Sequence, residues 1–203
     1  ENELIDEALG RVMARIGELG WSADTDVVFT TDHGELQGDF GLLFKGPYHV
    51  DALMRVPLVW RPAPSAGVTP AEVPEPVGHV DLVPTFCEIA GAAVPEWAQG
   101  RSLPTAPGSD RQWAITEWDS QFPHIGMHLR SIYREGWLCT AYEPGPLYEG
   151  TEGELYDLAE DPLQWRNLWE DPDYRARRDE LVTDLYDNLP PERETKLAVE
   201  APV

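Results

Sequence analysis

The stretch Asp26-Val27-Val28-Phe29-Thr30-Thr31-Asp32-His33-Gly34-Glu35 decides how this chain reads. Val27 to Thr31 is a β-branched and aromatic run too short for a helix, so it predicts a buried strand. Upstream, Leu4, Ile5, Ala8, Leu9, Val12, Ile16 and Leu19 recur at helical spacing over 2–19, and Gly20 stands just beyond the C-cap. A helix followed by a buried strand is the alternation of an α/β layer. At the carboxyl end of such a strand, where open α/β sheets bind ligands, a carboxylate and an imidazole leave together. Asp32 offers hard oxygen donors and His33 a neutral nitrogen, a pair suited to a divalent cation, and Gly34 permits a tight turn. The alternative is a polar corner in which Asp32 caps backbone amides and His33 is solvated.

Lys45 follows within the turn-rich segment Phe44-Lys45-Gly46-Pro47-Tyr48-His49. Its ammonium can hold an anionic oxygen as a point charge. Read alone, the segment is equally a solvated loop with a hydrogen-bonded histidine. Val56-Pro57-Leu58-Val59-Trp60 reads as a second strand, which Pro57 restricts to a strand start or an edge. Prolines crowd Arg61 to Pro76, a surface connection. Asp81 is placed to cap a helix carrying Leu82, Val83, Phe86 and Ile89. After a punctuated stretch from Pro95 to Ser109, strands are expected at 112–118, 128–134, 137–142 and 154–158. A helix at 173–189 follows, with Asp171 as N-cap and Pro172 at its first position. The expected fold class is α/β: part of an α/β/α sandwich over 1–109, then a small antiparallel sheet with one packed helix over 110–203.

Composition bounds the function. The 203 residues are 42% apolar and 10% aromatic with 8 Trp, a globular composition. With 37 acidic against 15 basic residues the net charge is −22, which repels phosphate backbones and anionic lipid, so no nucleic-acid or membrane partner is expected. No apolar run approaches the roughly 20 residues that span a bilayer. Cys87 and Cys139 form no spaced pair, so a disulfide framework and a thiolate zinc site are both unsupported. Both read as buried thiols, and the cysteine usage leans toward a cytoplasmic location.

Taken in order, the helix, the strand, Asp32-His33-Gly34-Glu35, the glycine-containing loop, Lys45-Gly46-Pro47-Tyr48 and Arg55-Val56-Pro57-Leu58-Val59-Trp60 resemble the sulfatase family of the alkaline phosphatase superfamily. His79-Val80-Asp81-Leu82-Val83-Pro84-Thr85-Phe86, Gly100-Arg101-Ser102-Leu103, Glu154-Leu155-Tyr156-Asp157-Leu158, Asp161-Pro162 and Asn167-Leu168 resemble that family's later half. The resemblance implies the C-terminal part of an alkaline-phosphatase-like enzyme hydrolysing an anionic sulfate ester. Asp32 and His33 would complete a divalent metal site, calcium foremost, with manganese, magnesium or zinc as alternatives. Many relatives carry Asn where His33 stands, so His33 either binds the metal or hydrogen-bonds the ester as a catalytic group. Lys45 matches the lysine that contacts the sulfate and steadies its charge.

The family nucleophile, a formylglycine made within Cys/Ser-x-Pro-x-Arg, has no match here, because neither Cys87 nor Cys139 has the required Pro and Arg. It is expected upstream, and this chain alone is expected to be inactive. The same metal cradle serves phosphomonoester, phosphodiester and phosphonate hydrolases. A reading of another class is a non-catalytic interaction domain that dimerises through a sheet edge, which leaves a homo-oligomer open. Besides Lys45 and His49, the polar group Gln121, His124, His128 and Arg130 could bind anionic or sugar-like substrate, or be ordinary surface. The tryptophans are expected in core or sheet-face packing.

Overall fold

The computed structural model describes residues 2–120 and 126–191. Helix α1 spans Asn2–Glu18 and ends where Gly20, at φ 74°, donates its amide to the Gly17 carbonyl at 3.0 Å. None of its residues is buried, so the apolar stripe that includes Leu4, Ile5 and Val12 lies open. Strand β1 (Val27–Thr30) pairs antiparallel with β2 (Leu58–Arg61), Val28 opposite Trp60. Pro57 falls immediately before β2, where its missing N–H costs the ladder nothing. The Trp60 indole donates to the Asp26 carboxylate at 2.9 Å and fastens the start of β1. Between the strands, helix α2 (Asp51–Met54) is one turn, too short to show a period in the sequence. Leu36, Val50 and Leu53 form a small buried cluster around it.

Helix α3 (Leu82–Ile89) follows the turn His79–Asp81. The expected capping role of the Asp81 side chain is corrected here, because its carboxylate makes no cap bond to the helix. It is buried and accepts instead from the amides of Gly78 at 3.0 Å and Arg101 at 2.8 Å, and from the Arg111 guanidinium at 2.8 Å. A buried charge needs such compensation, and Asp81 thereby ties α3 to the loop that leads into the second sheet.

That sheet has the order β3-β4-β5-β6, every pair antiparallel: β3 Trp113–Asp119, β4 His128–Arg134, β5 Trp137–Tyr142 and β6 Gly153–Asp157. Glu135 and Gly136, at φ 53° and 81°, make the two-residue turn between β4 and β5, a backbone shape whose twist matches the strands. Helix α4 (Arg175–Asn188) lays Leu181 and Leu185 on Ile132, Cys139 and Leu155. Burying each leucine contributes about 1.5–3 kcal/mol. The sequence reading is corrected at the helix entry: Asp171 caps not α4 but the short 3-10 turn Pro172–Tyr174 before it, its carboxylate accepting from the Asp173 amide with Pro172 at the first position, and α4 follows with no side-chain cap of its own. Arg134 bridges to Asp184, and Arg177 lies 5.4 Å over the Trp137 ring, which holds α4 against the hairpin. Trp169 joins this core, whereas Trp165, expected to pack with the other tryptophans, is 83% exposed. Cys139 is buried as expected and Cys87 only half-buried, both as free thiols. Among the described residues, no helix is long and apolar enough to cross a membrane.

Candidate active site

Strand β1 runs out at Thr30, and the next residues form a polar corner. Asp32 Oδ1 accepts from the Thr31 hydroxyl at 3.2 Å and from the His33 amide at 3.1 Å. The Thr31 bond, then that amide, hold the Asp32 carboxyl below its ordinary range, so it is a carboxylate at neutral pH. Its side chain is 83% exposed and free to take a further ligand. His33 Nδ1 lies 2.7 Å from the Gly34 carbonyl, and since a carbonyl only accepts, Nδ1 carries the proton. In the neutral ring this leaves the lone pair on Nε2, which sits 3.5 Å from Asp32 Oδ2. One nitrogen and one carboxylate oxygen therefore lie close together at the strand end.

A divalent metal fits this donor pair: the back side of the imidazole is held by a carbonyl, as in metal-binding histidines generally, and the carboxylate keeps a free oxygen. The pair is a partial site. Among the described residues, no group of three or more His, Cys, Asp or Glu is placed to hold a metal.

The Gly34 amide donates to the Leu53 carbonyl at 2.8 Å. A Cβ on Gly34 would collide with the Ala52 carbonyl, so only glycine allows this approach. The bond closes the excursion 35–52 into a loop that leaves the Asp32–His33 corner and returns to it. Gly38 in the left-handed region and Phe40 at φ 55° turn the chain at its far side. Lys45 stands exposed on the return limb, and no ion pair engages it among the described residues.

His49, expected as a substrate contact, is placed in the interior. It is 5% exposed, and Nδ1 meets Ser131 Oγ at 2.6 Å. Burial first, and then the Arg130 charge, push its pKa down to about 4, so the ring is neutral. Arg130 is likewise occupied: it donates to Asp119 at 2.8 Å and lies 3.5 Å from Glu117. His128 Nδ1 is 2.8 Å from Asp119 Oδ1. Burial alone would raise Asp119, but the bonds from His128 and Arg130 outweigh it and hold the carboxyl low. Gln121 and His124 lie outside the described residues.

One residue escapes the sequence reading as part of the site. His79 Nε2 lies 3.3 Å from Thr30 Oγ1, at the end of β1 two residues before Asp32. Only the turn before α3 brings it there, and no local pattern signals it.

Comparison with known proteins agrees with this architecture. The family model described as Sulfatase matches residues 2–92. The Delta 4,5-hexuronate-2-O-sulfatase of Bacteroides thetaiotaomicron is 28% identical over 89% of this chain and 39% of its own length. The multifunctional alkaline phosphatase superfamily protein PehA of Trinickia caryophylli is 33% identical over 85% of this chain and 35% of its own. The solved phosphonate monoester hydrolase of Agrobacterium radiobacter superposes with a TM-score of 0.79 at 28% identity, over 91% of this chain and 38% of that one. This chain thus spans less than two fifths of the length of these relatives. Corner, closed loop and four-stranded sheet together define a segment of an alkaline-phosphatase-like α/β fold. Within that class, residues 2–92 match the sulfatase family model, and sulfatases are similar to the chain over most of its length.

Proposed function

We propose that the protein containing this chain is a metal-dependent hydrolase of sulfate esters, with the Asp32–His33 corner and Lys45 as part of its active site. The closure of the Lys45 loop onto that corner by Gly34 and Leu53, in a chain whose relatives include a sugar sulfatase, is what carries the reading. Asp32 and the Nε2 of His33 would hold a divalent ion, calcium foremost by the family resemblance, with manganese, magnesium or zinc as alternatives, the softer of which the imidazole nitrogen suits. When bound, such an ion polarises the ester's oxygens as a Lewis acid. Lys45 binds and orients the sulfate group from the opposite limb, where a preorganised cation stabilises charge on the nonbridging oxygens. The Gly34 carbonyl keeps the His33 proton on Nδ1 and the other nitrogen free. A formylglycine nucleophile would come from sequence outside these residues.

A second reading rests on the phosphonate hydrolase and PehA likenesses: the same corner could serve phosphate or phosphonate esters. The non-catalytic alternative has the edge strand β3 and the open apolar stripe of α1 behind it. Full-length protein assayed on para-nitrophenyl sulfate beside para-nitrophenyl phosphate and a phenylphosphonate ester separates all three. The sulfatase reading expects sulfate release to have the highest kcat/KM, and Asp32→Ala to lower bound divalent metal. Faster turnover of a phosphorus ester supports the second reading; no turnover of any ester, with metal content indifferent to Asp32→Ala, overturns both hydrolytic ones.

A further inference from the structure

The segment that presents Lys45 is held by polar contacts reaching from the C-terminal sheet and from the turn after it. His49, four residues after Lys45, meets Ser131 on β4 at 2.6 Å, and Ser131 meets Thr140, its cross-strand neighbour on β5, at 2.7 Å. Ser131 and Thr140 are essentially inaccessible. Two residues beyond His49, the Asp51 amide donates to Gln164 Oε1 at 2.7 Å. Gln164 is 4% exposed, and the positive φ of 55° at this residue is held in a turn closed by its own amide on Asp161.

A serine beside a histidine invites a nucleophilic reading, but Ser131 is 0% exposed and no ester reaches it. The pair is better placed to hold than to react. The loop itself offers little rigidity, since every residue from Gln37 to Lys45 is exposed. Its apolar support, Leu36 with Val50 and Leu53, resists separation but fixes no direction, whereas hydrogen bonds are directional. Misplacing a charged contact by about 1 Å can cost roughly a hundredfold in rate, so the support of such a loop matters to the chemistry.

We propose that Ser131 and Gln164, acting through His49 and the Asp51 amide, are positioning residues for Lys45, so that the C-terminal sheet and the turn that follows it set where the anion-binding lysine stands. The inference rests on the hydrolase reading above. Ser131→Ala and Gln164→Met are two independent ways to release the loop, so one remains informative where the other fails to fold. His49→Asn keeps a polar atom near the Nδ1 position and serves as the conservative variant.

The test is a double-mutant cycle in the full-length protein on para-nitrophenyl sulfate. Each release variant is expected to lower kcat/KM by about tenfold when Lys45 is present and by less than about twofold when Lys45 is already alanine. His49→Asn is expected to keep most of the activity that His49→Phe loses. Arg134→Ala, which breaks the bridge to Asp184 at the other end of β4, should lower stability and leave kcat/KM within about twofold. Equal losses with and without Lys45, or no loss from either release variant, overturn the proposal. If Lys45→Ala is crippled while both release variants are fully active, only the positioning role falls. If Lys45→Ala itself keeps full activity, the hydrolase assignment of Lys45 falls and the positioning role with it.

Discussion

The Gly34 amide and the Leu53 carbonyl, 2.8 Å apart, close the loop that carries Lys45 onto the corner that carries Asp32 and His33. Because a Cβ at Gly34 would strike the Ala52 carbonyl, Gly34→Ala must push the two limbs apart. The expected cost is about 1–3 kcal/mol of stability, as for other overpacked sites. Gly10→Ala, inside α1 with nothing within 4 Å of the new atom, should instead stabilise by about 0.5–1 kcal/mol. Urea unfolding of the two variants checks the contrast, and a Gly34→Ala protein as stable as its parent would contradict the closure.

His49 makes stability depend on pH. Its folded pKa, about 4, lies below the ordinary value of 6.5. The unfolded chain therefore binds more protons between those values, and the stabilisation is complete above 6.5 and lost as pH falls toward 4. A gap of that size corresponds to about 3 kcal/mol at most. Thermal unfolding at pH 7 and pH 5 should show a drop that is smaller in His49→Asn. A drop of equal size in both proteins would mean that His49 is not the titrating group.

The buried pair Asp81–Arg111 and the exposed pair Arg166–Asp171 should behave differently. Asp81→Ala strands a guanidinium that is 9% exposed, at an expected cost of about 3–5 kcal/mol. Arg166→Ala removes a partner 67% exposed and should cost under about 1 kcal/mol. Denaturant midpoints for the two variants decide it; similar midpoints would contradict the anchoring role of Asp81.

The strands were legible because short apolar, β-branched and aromatic runs bounded by turn residues are a local signal. The run 137–142 is β5 residue for residue, and 128–134 is β4. The polar corner at Asp32 and His33 was legible as well, since the two residues are consecutive and follow a strand. His49 was not, because the serine that takes it into the interior lies 82 residues away and no spacing connects them. His79 was missed for the same reason, its partner Thr30 being 49 residues distant. Asp81 misled because an acidic residue before a helix looks the same whether its carboxylate caps that helix or pairs with a distant arginine. The helical spacing of α1 identified a helix, but period alone does not say what covers its face.

Cys139 should be inert. It is fully buried, and burial pushes its thiol up to about 12, so almost none is thiolate at neutral pH. Under native conditions iodoacetamide is expected to label Cys87 well ahead of Cys139, with both reacting after unfolding. Labelling of Cys139 at the faster rate would mean that α4 does not cover the sheet as described. Residues 1–203 expressed alone are expected to release no sulfate from para-nitrophenyl sulfate, because Asp32 and His33 leave most metal positions to water and neither cysteine fits the formylglycine motif.

The central claim is that Lys45 contacts the anionic group of the substrate, and kcat/KM of Lys45→Ala in the full-length protein tests it most directly. Loss of one preorganised donor of this kind costs about 3 kcal/mol, or roughly a hundredfold in rate. Arg15→Ala, which removes an exposed cation paired with Glu18 on α1, is the control and should stay within about twofold. A hundredfold fall on para-nitrophenyl sulfate for Lys45→Ala, with metal content and unfolding midpoint unchanged, is the predicted result. Wild-type efficiency in both variants would contradict the assignment of Lys45 to the site.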